Sequence, residues 1–171
     1  MSDVLGSDEQ PDLAEGLNTA LVAFTGCIGE AMADICSYGL TIGDSYVPFD
    51  PDPEDDCEED EVACSQVWVR VTGITPTATP GSWENGDCGA VLQIGLEVGV
   101  LRCYDIEEDG QAPTASDVLA AATQAMSDMK AIYCAAMGCE VWDSIASGSW
   151  VPLGPAGGQY GGSWTFTTTL S

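Results

Sequence analysis

The run AVLQIGLEVGVLRCY, residues 90–104, sets the strongest limit on what this chain can become. Ala90, Leu92, Ile94, Leu96, Val98 and Val100 recur at a period of two, with Gln93, Gly95, Glu97 and Gly99 between them. That alternation predicts a long strand with one apolar face, and a slip of one residue would turn the whole row outward. Such a strand needs a neighbour and a cover. The neighbour is SQVWVRVTGI, residues 65–74, where Val67, Val69 and Val71 oppose Trp68, Arg70 and Thr72. Between the two lies TPTATPGSWENGDCG, with two prolines and an Asn85-Gly86 turn signal, so the simplest pairing is antiparallel.

The cover is helical. Leu13, Leu17, Leu21, Phe24, Ile28, Met32 and Ile35 recur at steps of three and four, which predicts an amphipathic helix ending near Gly39. A second helix is announced by Pro113 and Thr114, whose hydroxyl can cap while Asp117 reaches back. Its stripe, Leu119, Ala122, Met126, Met129, Tyr133 and Ala136, is expected to face the core, and its many alanines allow close approach to a sheet. CEVWDSIAS then reads as a last turn or short helix. GSWVPL and SWTFTTTL flank a Pro/Gly turn as a hairpin, in which Trp164, Phe166, Thr168 and Leu170 alternate against Ser163, Thr165, Thr167 and Thr169. No helix follows that Gly-rich turn, so it offers no helix N-terminus to a phosphate.

The expectation is an α+β fold in the order helix, strand, strand, helix, hairpin. About four antiparallel strands carry two long helices on one face. Residues 13–171 form one domain, with 1–12 a frayed acidic arm.

Three basic residues, Arg70, Arg102 and Lys130, stand against 28 acids, a net charge of −25. No Lys/Arg set exists to neutralise several phosphates and release counterions, so specific nucleic-acid binding is excluded. An anionic membrane surface is disfavoured on the same ground. Histidine is absent, which removes the commonest general base and any Ser-His or Cys-His dyad. No catalytic residue, cofactor or metal is expected. The N-terminus has neither a basic region nor an apolar core of a secretory signal, and the uncharged apolar stretch GLNTALVAFTGCIG is 14 residues, short of a membrane span.

FDPDPEDDCEEDE, residues 49–61, holds nine carboxylates: Asp50, Asp52, Glu54, Asp55, Asp56, Glu58, Glu59, Asp60 and Glu61. Charge repulsion and two prolines make it a solvated loop. Six of the nine fall on the ligand positions of a calcium-loop count, but Asp55 stands where the turn needs Gly, which leaves an acidic cation-binding module as a competing reading. Eight cysteines lack any C-x2-C pair. Cys27 and Cys36 on one regular helix would be about 13 Å apart in rise, beyond a disulfide. Cys57 and Cys64 could close the acidic loop, and Cys134 and Cys139 could pair only if the helix ended between them. Cys88 and Cys103 bracket a strand and must pair elsewhere, and free thiols serving as small core residues remain the alternative throughout. A small secreted disulfide protein is a third reading, opposed by the missing signal and the long helices.

QVWVRV, LEVGVLRC, the two-turn approach to an amphipathic helix and the closing Trp150-Val151-Pro152-Leu153-Gly154-Pro155 with Gly157, Gly158 and SWTFTTTL resemble the tail-terminator proteins of long-tailed, siphovirus-like bacteriophages, especially those of actinobacteria. The likeness spans about residues 13–171. It implies a non-enzymatic virion protein at the tail–neck junction, assembled in the host cytoplasm. A homohexameric ring would cap the tail tube built by the major tail protein and meet the head-completion protein. Another neck or tail-completion role is the close alternative. Trp150, Pro152, Tyr160 and Trp164 are the expected anchors for a neighbouring subunit or the tube. Six copies would place about −150 around a channel for DNA, which keeps the phosphate backbone from sticking.

Overall fold

The computed structural model describes residues 13–35, 37–42, 65–77, 91–103, 114–156 and 159–170. The expected N-terminal arm, the acidic segment Asp50–Glu61, and Cys57 and Cys64 lie outside them. The elements run α1 (Leu13–Ala31), β1 (Ser37–Ile42), β2 (Gln66–Thr77), β3 (Val91–Cys103), α2 (Ala115–Gly138), β4 (Ser144–Ala156) and β5 (Gln159–Leu170). The α+β class holds. The sheet, however, has five strands in the order β1-β2-β3-β5-β4, and it is mixed: β1 runs parallel to β2 while all other pairs are antiparallel.

The strand missed is β1, and α1 is correspondingly shorter than its stripe suggests. It ends at Ala31, where the Met32 N–H is shared between the carbonyls of Ile28 and Gly29 at 3.1 and 3.2 Å, a tightening typical of a last turn. Met32 and Ile35 stay buried as the chain turns toward β1, which is why the apolar spacing outlives the helix. CEVWDSIAS forms a turn and then enters β4 at Ser144 without a further helix.

The register sets Val69, Val98, Trp164 and Trp150 in one row, with Val71, Leu96 and Phe166 beside it. Val69 and Val98 are fully buried, and so are Phe24 and Ile28 of α1 and Ile132 and Ala136 of α2 in the same cluster. Both helices therefore cover one face of the sheet. The other face is not bare: Trp68 is 7% exposed and its indole lies across Gly99 of β3, where an added Cβ would fall inside the ring. Gly161 fits a similar need, since at φ +156 its Cα faces the Val100 carbonyl too closely for any side chain.

Thr114 caps α2 as expected: its hydroxyl accepts from the Asp117 N–H at 3.3 Å, and its own N–H donates to the Asp117 carboxylate at 2.8 Å. A disulfide joins Cys27 of α1 to Cys139, the C-cap residue just after α2, with Cα atoms 6.1 Å apart. Cys103 is also disulfide-bonded, and Cys134 is a free, exposed thiol.

Candidate interaction surface

Two of the three cations are held inside the fold. Arg70 of β2 pairs with Glu97 opposite it on β3. Arg102 grips Asp128 with two bonds, Nε to Oδ2 at 2.7 Å and Nη2 to Oδ1 at 2.8 Å, and reaches Asp34 at 2.8 Å. Asp128 is 2% exposed and takes a further bond from Gln124 at 2.9 Å. Hydrogen bonding to Asp128 holds Arg102 above the ordinary guanidinium range against the opposing effect of burial. This pair ties α2 to β3, with Asp128 on the same buried side of the helix as Ile132 and Ala136.

That orientation differs from the expected one. The buried positions of α2 are Asp128, Ile132 and Ala136, while Leu119 is 69% and Met126 66% exposed. The stripe Leu119, Ala122, Met126, Met129, Tyr133, Ala136 advances by 3.4 residues per step on average, short of the 3.6 of a helix, so it winds around the cylinder relative to the core. Only Ala136, at its C-terminal end, is fully buried. Val118 and Met137 extend the exposed apolar flank.

The four hairpin residues expected as anchors divide. Trp164 is half-buried and its indole N–H donates to the Met129 carbonyl at 2.9 Å, so it fastens β5 to α2. Its ring lies 5.4 Å from Tyr133 and 6.0 Å from Trp150. Trp150 is half-buried too and folds over Gly162. Pro152 is exposed on β4, where a missing N–H is tolerated at a sheet edge. Tyr160 sits opposite Arg102, about 13 Å along β5 from Trp164, apart from this cluster. Trp150, Trp164 and Tyr133 thus form one aromatic seam between α2 and the hairpin, with Pro152 at its rim.

β4 is an outer strand of 13 residues, bulged between Ser147 and Trp150 and between Leu153 and Ala156. Val151 and Leu153 are 50% and 40% exposed and project from the face opposite α2. Residues 144–171 contain no charged side chain. Leu119, Met126 and Tyr133, expected in the core, are exposed, and the sub-helical spacing of the α2 stripe was the available signal; no spacing in the sequence singled out Val151 and Leu153 of β4.

Elsewhere, an open recess of about 460 Å³ is lined by Glu15, Gly16, Thr19, Ala20, Ala23, Val141 and Leu170, and offers one carboxylate and one hydroxyl. Among the described residues no group of three or more Cys, Asp or Glu is placed to hold a metal ion, and no helix is long and apolar enough to cross a membrane.

No protein-family model matches the chain, and no curated protein matches it.

Proposed function

We propose that this chain is a structural subunit that assembles with its own copies into a ring, and that the ring is the terminator of a long-tailed phage tail tube, joined on its other side to the head-completion complex. The observation that carries the assembly half is the outer strand β4: long, without a charged side chain and with Val151 and Leu153 exposed, on a chain whose α2 also exposes Leu119 and Met126 and whose net charge is −25. Large contiguous apolar surface on an otherwise acidic molecule marks a protein contact. Heterologous contacts between such subunits close into rings when the rotation permits. The tail half rests on the likeness of the closing Trp150–Pro155 segment and SWTFTTTL to tail terminators. In that setting the acidic excess repels DNA from the channel wall.

Two measurements test the two halves. Native mass spectrometry of the full chain is expected to give a hexamer. Mixing with growing tail tubes is expected to stop polymerisation and leave density at one tube end. A chain that stays monomeric beside tubes, or tubes that lengthen unchanged, overturns the proposal.

A further inference from the structure

We infer that the flank made by the outer side of α2 and the β4 edge is the surface on which a second copy of this chain docks; this rests on the self-assembly reading above and names its contact. Val118, Leu119, Met126 and Met137 are between 41% and 69% exposed along α2, and Tyr133 links them to the Trp150–Trp164 seam. By helix geometry Leu119, Met126, Tyr133 and Met137 lie about 100–140° around α2 from the buried Ile132, so they share one flank.

Charge selects the occupant. Residues 115–171 hold four acids, Asp117, Asp128, Glu140 and Asp143, and one cation, Lys130, for a net charge of −3; residues 1–114 hold 24 acids and two arginines, net −22. Of the four, Asp117 is at the N-terminal cap of α2, Asp128 is buried against Arg102, and Glu140 and Asp143 lie in the turn before β4. From Val118 to Met137 the outward side of α2 therefore presents no carboxylate, and Lys130 is exposed there. A basic partner would be drawn to the carboxylates by Coulomb attraction and gain nothing here. A second acidic copy is repelled wherever acids face acids, and a flank without carboxylates is where its neighbouring surface can approach and bury these apolar side chains.

The test follows the mass of the full-length chain by light scattering over a concentration series. Met126→Glu and, independently, Leu119→Glu are expected to raise the dissociation constant on the order of 100-fold, as loss of a central apolar contact does, without changing the circular dichroism spectrum. Val22→Glu, an exposed site on α1, leaves assembly intact. Added salt strengthens the wild-type association, because screening relieves like-charge repulsion. A monomeric wild type, weakening by salt, or unchanged assembly of both α2 variants overturns the inference. If both variants assemble like wild type and still cap tubes, the flank is wrong and the tail-terminator reading stands. If the wild type assembles through this flank but tubes keep growing, the tail reading falls and the contact stands.

Discussion

Replacing Asp128 by Asn tests whether the Arg102 clasp sets the seat of α2. The substitution keeps shape, removes the charge and leaves Arg102, whose side chain is 13% exposed, with Asp34 as its one charged partner among the described residues. Removing one member of a buried ion pair costs about 3–5 kcal/mol, and the surviving Asp34 contact argues for the lower end. An unfolding entropy of about 2.1 cal/mol/K per residue gives about 0.36 kcal/mol/K for this chain, so a loss of about 3 kcal/mol lowers Tm by about 8 °C. Asp34 is 60% exposed, and Asp34→Asn is expected to cost less than about 1 kcal/mol, or under about 3 °C. The double change Arg102→Met with Asp128→Leu recovers most of the loss, because a packed apolar pair replaces a buried ionic one at little net change. Calorimetry at neutral pH, repeated at high salt, reads all four proteins. The reasoning is refuted if Asp128→Asn melts within about 2 °C of the parent, or if high salt abolishes its difference from wild type, since a pair this enclosed is poorly screened.

Three further outcomes are expected. Gly99→Ala forces the Trp68 indole from its seat and costs about 1–3 kcal/mol of overpacking, read by urea denaturation with a shift in tryptophan emission. Replacing both Cys27 and Cys139 by Ser opens a loop of 112 residues, and loop-closure entropy puts the loss near ~5 kcal/mol; thermal melts with and without reductant should show the variant insensitive at this site. Thr114→Ala costs about 1 kcal/mol at neutral pH. The Thr114 hydroxyl and N–H also hold the Asp117 carboxylate below its ordinary range, so the part of the cap that runs through the carboxylate is complete above that range and fades as pH falls through the lowered value, while the bond from the Asp117 N–H persists. The Tm gap between wild type and Thr114→Ala should accordingly narrow in acid.

The period-two rows of β2, β3 and β5 were legible because each has a face that must be apolar, and Val69, Val98 and Phe166 lie where alternation puts them. The cap of α2 was legible for a similar reason, since Thr114 and Asp117 act within one turn. β1 was not: SYGLTI spans six residues, contains Gly39 and follows an apolar spacing that continues smoothly from α1. The facing of α2 was hidden because its apolar residues outnumber those its sheet can cover, and the choice falls to Asp128, a polar residue whose partner Arg102 is 26 positions away. Long-range partners also explain Cys27–Cys139, for which local spacing holds no information. Of the residues expected as anchors, Trp150 and Trp164 pack in the seam between β5 and α2, which their alternation in the hairpin did not reveal.

The Cys27–Cys139 bond has a topological result. It closes residues 27–139 into one covalent loop, and the β4–β5 hairpin lies outside that loop along the chain. The loop entropy that the bond removes from the unfolded chain therefore belongs to β1, β2, β3, α2 and the end of α1, and none of it to β4 or β5. The uncharged edge strand β4 is thus held by pairing and packing alone, with no share in that crosslink.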